Sequence, residues 1–314
     1  MLKYVSKRII YTLMIFLGVT VLVFIFGIMS PGDPAELALS RGGAYQPTDD
    51  QIEVVREKLG LNVPYHKQYI NWIKGVFKFD FGNSYSTNRR VTEIFKEKLP
   101  YTLKLGMFSI IITIIFGVSS GINAAKNYNS ILDYIIQTLQ NVFLSMPQFW
   151  IGLLLILLFS EKHKILPSNG VQSIKHYILP SLTLSLVGLS NISRLTRSSF
   201  LSEFGKHYYL FGKARAISKR KLVYKHTFKN AILPVLPMIG NYIGGILGGS
   251  SIVEIVFGIP GLGSFAVNAI LLKDIPVIQA YVLFSSAIYL FTYMTIDLIS
   301  ISLNPKLKGQ LNEE

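Results

Sequence analysis

The side chains of this 314-residue sequence best suited to ligate a metal or move a proton near neutral pH are five histidines, His66, His163, His176, His207 and His226. All lie in polar connections or at the ends of apolar runs. No two stand four residues apart, the spacing that would set two metal ligands on one helix face. The absence of cysteine excludes disulfides, thiolate metal sites and cysteine nucleophiles. No phosphate-cradling loop of the Gly-x-x-x-x-Gly-Lys-Ser/Thr type occurs, so an energy source of that kind must sit on another polypeptide. The expectation is therefore a chain with no catalytic residue and no metal site.

The remaining polar groups with functional potential stand inside apolar runs: Gln137, Gln140, Asn141, Asn191, Asn241 and Asp297. Polar side chains in lipid are costly and face a bundle interior or an aqueous path. Two uses stand side by side for each, a hydrogen bond between helices and a contact with something passing through. For Asp297 the simplest partner is a nearby cation. A chain of intramembrane acids, expected of a proton pump, is absent.

One basic stretch differs from everything around it. It runs from Glu203 through His207-Tyr208-Tyr209-Leu210-Phe211-Gly212-Lys213-Ala214-Arg215-Ala216-Ile217-Ser218 to Lys219-Arg220-Lys221. Small residues at 212, 214 and 216 flanked by aromatics suit a short helix that packs into a groove on a partner. The basic flanks suit lipid headgroups or an acidic protein rim.

The elements that must position these residues are membrane helices. Hydrophobic residues make up 50% of the chain and charged residues 15%, against about 25% charge in soluble domains. A bilayer core takes roughly 20 apolar residues to cross. Six runs meet this: Ile9–Met29, Leu105–Ala125, Ile131–Phe159, Tyr177–Thr196, Ala231–Val256 and Pro276–Leu303. Backbone groups in lipid must bond internally, so these are expected to be helices. Pro147 should kink or split the third. The first run is too long for a signal h-region and is followed by Ser30-Pro31-Gly32-Asp33-Pro34 rather than a small-residue cleavage site, so it reads as a retained span.

Charge sets the orientation. Lys3, Lys7, Arg8, Lys126, the basic residues of 198–230, Lys306 and Lys308 fall on one side, and only Lys162, Lys164, Lys175 and Lys273 in the opposing short loops. The positive-inside rule puts both termini and the 198–230 loop in the cytoplasm of a multi-pass plasma-membrane protein. This arrangement also accounts for the net charge of +14 without invoking nucleic acid. Residues 31–104 form the one large extracytoplasmic segment, with a helix start at Thr48-Asp49-Asp50-Gln51 and an aromatic-rich run from Tyr69 to Phe81. It serves either as a docking surface for an external partner or as a cap on the bundle. The domain reading is thus 1–30 tail and first span, 31–104 external, 105–303 core, and 304–314 cytoplasmic tail.

At this point the residues carry a resemblance. Tyr208…Gly212-x-Ala214-Arg215-Ala216-x-Ser218…His226…Asn230-Ala231-Ile232-Leu233-Pro234 resembles the cytoplasmic coupling loop of binding-protein-dependent ABC importer permeases. Pro31-Gly32-Asp33-Pro34, Leu59-Gly60-Leu61, Asp80-Phe81-Gly82-Asn83-Ser84, Val253-Glu254-x-Val256-Phe257-x-x-Pro260-Gly261-Leu262-Gly263 and Asp274-x-Pro276 are similar to further signatures of the peptide/nickel group, B type. Two positions depart from it: Ala216 stands where the family usually has glycine, and Ile259 where it usually has tryptophan.

The resemblance implies a type I importer permease fold, all-α with six transmembrane helices. It implies four kinds of company: a second homologous permease, two ABC ATPase subunits that hold ATP and Mg, an extracytoplasmic solute-binding protein, and the bilayer. No cofactor is expected on this chain. Tyr208, Gly212, Ala214, Arg215, Ala216 and Ser218 are expected at the ATPase interface. Gln140, Asn141, Asn241, Glu254, Pro260 and Gly261 are candidates for gate or path, with Phe257 to Gly263 forming a re-entrant or external gate segment. The turn at Ala216 is expected to differ from the family's, or to be helical, because alanine disfavours positive φ. Peptide and nickel cargo stand level. The rival reading is a membrane-embedded structural or receptor subunit that transports nothing.

Overall fold

The computed structural model describes residues 2–40 and 47–303, and within them the chain is helical, with one isolated antiparallel bridge, Asn83 to Arg90, and no strand. Its helices are α1 (Leu2–Met29), α2 (Pro34–Ser40), α3 (Asp49–Lys58), α4 (Tyr65–Phe77), α5 (Val91–Lys126), α6 (Ile131–Ser145), α7 (Gln148–Leu155) and α8 (Lys175–Phe204). Then come α9 (His207–Ala214), α10 (Lys219–Lys221), α11 (Phe228–Ala231), α12 (Val235–Gly249), α13 (Ser251–Val256), α14 (Leu262–Leu271) and α15 (Ile275–Leu303). Among the described residues, α1, α5, α8 and α15 are each long and apolar enough to cross a membrane. Two bent pairs bring the number to six if each is one span.

One of those pairs is the split expected at Pro147, and the other shortens an expected span. The third breaks at Pro147 and turns through 107° between α6 and the α7 rod that continues π-helically to Lys162. Pro147 has no N–H to give and holds an extended backbone, so α6 stops at 15 residues, about 22 Å. The fifth expected run bends by 65° at Pro234 and ends at Gly249; Ser251–Val256 is a separate helix rather than its tail. In the other direction α5 begins at Val91, 14 residues before the expected start, and carries Pro100 within it. The helix that carries the second span thus begins inside the 31–104 segment. The 304–314 tail, with Lys306 and Lys308, lies outside the described residues.

The central seam is α5 against α8. Gly117 and Gly121 of α5 meet Ile192, Ser193 and Thr196 of α8 so closely that a Cβ at either would crowd them. Lipid is as apolar as leucine, so helices in a bilayer associate through such close approach and through polar links. The links are present: Ser120 Oγ donates to Ser193 Oγ (2.8 Å), and Thr113 Oγ1 donates to the Tyr242 hydroxyl (2.8 Å), which in turn donates to the Leu184 carbonyl (2.8 Å). α12 lies on α15 by the same device, with Gly240 against Ile296 and Gly244 against Tyr289. α1 packs along α15 and is pinned by the expected cation for Asp297, which is Arg8; the guanidinium also lies 5.2 Å from the Tyr293 ring.

The segment after α1 behaves as a cap, not a separate body. Phe24 of α1 packs with Tyr69 and Trp72 of α4, and Thr20 Oγ1 shares a hydrogen bond with the Tyr69 hydroxyl (2.8 Å). Arg56 of α3 pairs with Asp33, which also accepts from the Ala35 N–H (3.0 Å). At the far end of the cap, Asp274 is fully buried and accepts from Ser84 Oγ (2.6 Å), Tyr85 N–H (3.0 Å), Ser86 N–H (3.0 Å) and Ser86 Oγ (2.8 Å). That carboxylate clamps the 82–88 loop onto the α14–α15 turn, 190 residues away in sequence. Burial, with Asp274 and Asp33 nearby, pushes the Tyr85 hydroxyl up to about 12.

Replacing Asp274 with alanine would strand four donors in a dry site. Each stranded group costs about 1–3 kcal/mol unless water enters. The expected outcome for Asp274→Ala is a lower thermal denaturation midpoint of the purified protein and faster proteolysis within 82–88, with a smaller shift for Asp274→Asn. Equal stability of all three would remove the clamp.

Candidate functional site

The basic hairpin is built outward from the ends of α5 and α8. α8 ends at Phe204, and Glu203, nearly buried, binds both Lys206 and the Tyr208 hydroxyl (2.8 Å). Its hydrogen bond holds the Lys206 ammonium above the usual lysine range. α9 follows for eight residues. The chain returns through α10, a π-helical stretch (Leu222–Thr227) and α11, which bury Leu222, Val223, Thr227 and Ala231. Ile122, Ala125, Phe200, Val223 and Ala231 form one apolar cluster under the hairpin. Ser199 Oγ donates to the Ala231 carbonyl (2.6 Å), and Lys219 Nζ donates to the Lys126 carbonyl (2.8 Å) at the C-terminus of α5, where a cation also suits the helix dipole. The hairpin is thus fastened to both helices of the central seam.

Its outward surface carries most of the residues expected to dock. Ala214, Arg215, Ala216 and Ser218 are exposed, with Leu210 and Phe211 beside them, and Tyr208 is just over the line into exposure. A groove of about 540 Å³ runs between α9 and the returning arm, lined by Tyr208, Phe211, Gly212, Arg215, Ile217, Leu222 and His226. Gly212 is a correction. It is buried, and a Cβ there would stand 2.5 Å from Leu222 Cδ1. Its role is to let α9 lie on its own return arm at the floor of the groove, rather than to stand on the outward surface.

Ala216 is a second correction. It holds φ +56°, with the Ala216 N–H donating to the Lys213 carbonyl (3.0 Å) and the Ile217 N–H to the Gly212 carbonyl (3.1 Å). These two bonds are the Schellman closure of a helix end. The turn keeps the geometry that glycine would favour, because both orphan carbonyls of α9 are satisfied by it; alanine tolerates the conformation at about 1–2 kcal/mol.

The Gly/Pro-rich stretch forms a second organised site. Glu254 is fully buried and its carboxylate accepts from Thr102 Oγ1 (2.7 Å), Ser250 Oγ (2.8 Å) and Ser264 N–H (2.7 Å). Thr102 in turn accepts from the Leu262 N–H (2.8 Å). The α13–α14 hairpin is stapled to α5 through these bonds. Gly261 is buried with its missing side chain facing the Glu254 carboxylate, so a Cβ would run into it. Glu254 and Gly261, expected to line a gate or path, are internal; only Pro260 of the three is exposed.

Of the polar residues expected along a path, Gln140 is buried and donates to Ser193 Oγ (2.7 Å), a link between α6 and α8. Asn141 and Asn241 are exposed: Asn141 accepts from Arg194 (2.8 Å) and Asn241 from the Tyr289 hydroxyl (2.6 Å). The sequence reading missed Asp133, whose buried carboxylate takes Arg197 in a two-point pair (2.7 Å each) while accepting from Asn129 N–H and Gln137. It also missed the joins of Thr102 to Glu254 and Ser84 to Asp274. The available signal was an acid three residues past Ser130, the first-turn position an α6 N-cap favours.

With this geometry in place the comparisons decide the family. Residues 113–309 match the family described as the binding-protein-dependent transport system inner membrane component, and residues 1–106 match its N-terminal companion. The chain belongs to this family. It is an ABC importer permease subunit, a transporter component and not an enzyme, and its family assigns it to the inner membrane in company with an ATPase and a binding protein. The permease is 39% identical over 309 residues to the glutathione transport system permease protein GsiC of Salmonella choleraesuis (strain SC-B67), covering 98% of this chain and 99% of that one. Identity to GsiC of Escherichia coli (strain K12) is 38% over the same length. In fold it is similar to a chain of the inward-facing MetNI methionine ABC transporter, CY5 native crystal form, with a TM-score of 0.52 at 15% identity, covering 67% of this permease and 96% of that chain. The type I importer permease fold expected from the sequence is the one observed.

Two substitutions separate surface from support. Gly261→Ala should lower the yield of folded permease and its melting midpoint, since Glu254 must leave its three donors. Ala216→Gly should raise the midpoint by relieving about 1 kcal/mol of left-handed strain, less whatever the unfolded chain gains in freedom. An unchanged midpoint for Gly261→Ala would show that Glu254 does not staple α13 to α5.

Proposed function

We propose that this permease forms half of the path by which an ATP-driven importer takes up short peptides of the glutathione type, with the hairpin from Lys206 to Ala231 as the lever on which an ATPase subunit acts. The observation that carries the reading is mechanical. An exposed, basic, small-residue helix is anchored through Glu203, Lys219 and Ser199 to the two helices that make the central seam. A push on α9 is passed to α5 and α8 instead of being lost in a loose loop.

ATP and Mg belong to two partner ATPase subunits, and a second homologous permease completes the path. Closure of the ATPases and docking of the loaded binding protein must favour the same global state, since coupling between sites is reciprocal. The positive-inside distribution supports a cytoplasmic hairpin and cytoplasmic termini, with the 31–104 segment outside. Peptide cargo is favoured over nickel because the similar glutathione permeases align end to end with this chain.

The test is uptake of labelled glutathione, of short peptides and of nickel by a strain whose own systems are deleted and which carries this permease with its neighbouring ATPase, second permease and binding protein. ATP-dependent entry of peptide without nickel is the expected result; nickel entry alone would overturn the cargo. Ala214→Trp tests the lever. Ala214 is exposed, so the bulky side chain should leave the permease folded and in the membrane while reducing uptake at least tenfold and uncoupling hydrolysis from transport. Transport at the unaltered rate would mean that α9 is not the docking element.

A further inference from the structure

Among the described residues, Arg194 is the one arginine of α8 that has no carboxylate. It lies about 29 Å along the helix from Lys175 at 1.5 Å per residue, two residues before the end of the expected Tyr177–Thr196 span. Its guanidinium is exposed and, among the described residues, meets a neutral acceptor, Asn141 Oδ1 at 2.8 Å. The nearest acid in sequence on α6, Asp133, has both oxygens committed to Arg197. A cation near the cytoplasmic end of a span is kept where its head can reach water or an anion rather than lipid.

The surroundings point to water. α8 is otherwise sheathed by its neighbours: between Ile178 and Arg194 it exposes no residue, and from Arg194 onward the exposed positions are Arg194, Ser198 and Ser202, one polar line at four-residue spacing. On α6 the exposed polar residues Thr138, Asn141 and Ser145 make a matching line. The two lines converge at the Arg194–Asn141 hydrogen bond.

We propose that Arg194, oriented by Asn141, is a specificity residue that holds a carboxylate of the cargo as it leaves towards the cytoplasm. This deepens the peptide-import reading and rests on it. Arginine suits the task because its planar fork accepts a carboxylate at two points, and one neutral hydrogen bond to Asn141 leaves the other donors free.

The experiment uses the complete importer in liposomes, with its binding protein, and compares ATP-driven uptake of glutathione with that of glutathione amidated at its glycine carboxylate. The binding protein is the same throughout, so a changed ratio reports on the permease. Arg194→Gln should lower the ratio of free-acid to amide uptake about tenfold, equivalent to about 1.4 kcal/mol. At equal amounts of assembled complex, free-acid uptake should fall in the order wild type, Arg194→Lys, Arg194→Gln, Arg194→Glu. An unchanged ratio, or loss of both substrates together with dissociation of the complex on size exclusion, would overturn the proposal in favour of a lipid anchor or a subunit contact. Failure of the wild-type importer to move either compound would instead overturn the cargo reading, and the carboxylate assignment would fall with it.

Discussion

Close approach of α5 and α8 is the interaction on which the rest of this permease depends. In a bilayer an apolar helix gains little by exchanging a lipid neighbour for a protein one, so the pair must be held by contacts that lipid cannot make. Gly117 and Gly121 let the backbones come near enough for Ser120 and Ser193 to bond across the seam, and Gln140 of α6 joins it at Ser193. α12 joins through Tyr242, which reaches both helices at once. The basic hairpin at one end and the Glu254 staple at the other are both attached to this pair of helices.

The buried acids divide the labour of connecting elements that the seam does not reach. Asp133 joins α6 to α8, Glu254 joins the α13–α14 hairpin to α5, and Asp274 joins the cap to the α14–α15 turn. Only the first uses a cation. The other two are satisfied by hydroxyls and backbone N–H groups, which supply charge-assisted hydrogen bonds without burying a second ion. A buried carboxylate held this way is positionally demanding, because every donor must arrive in register. That demand explains why Gly261 sits beside Glu254: the tight fit leaves no room for a side chain.

Much of this was legible in the sequence, and the part that was not has a physical reason. Apolar run length gave the six spans, and the run of aromatic, small and basic residues from Tyr208 to Lys221 gave the hairpin. Pro147 announced the split of Ile131–Phe159, but hydropathy averages over a window and carried Ala231–Val256 through the breaks at Pro234 and Ser250. It likewise stopped short of Val91, because the first turns of α5 hold Glu93, Lys96, Glu97 and Lys98 and are helical by hydrogen bonding rather than by burial in lipid. The site residues divided similarly. Exposure of Ala214 and Arg215 followed from composition, whereas the burial of Gly212, Glu254 and Gly261 depends on partners 7 to 152 residues distant, which no local pattern encodes.

Ala216 shows how a local rule yields to its context. Read alone, an alanine in place of glycine argues for a changed turn. In the fold, Gly212 packs on Leu222, and the return arm from Ser218 can reach that contact only if the chain reverses directly after α9. The reversal needs one left-handed residue, and the two closing hydrogen bonds from Ala216 and Ile217 offset most of the penalty alanine brings. The same left-handed helix end recurs at Phe79 and Lys273, again without glycine, each just before a buried or bonded aspartate. Helix reversals in this permease are therefore set by what the chain must reach next, Leu222, Gly82 or the cap loop, and residue preference at the turn itself is the weaker term.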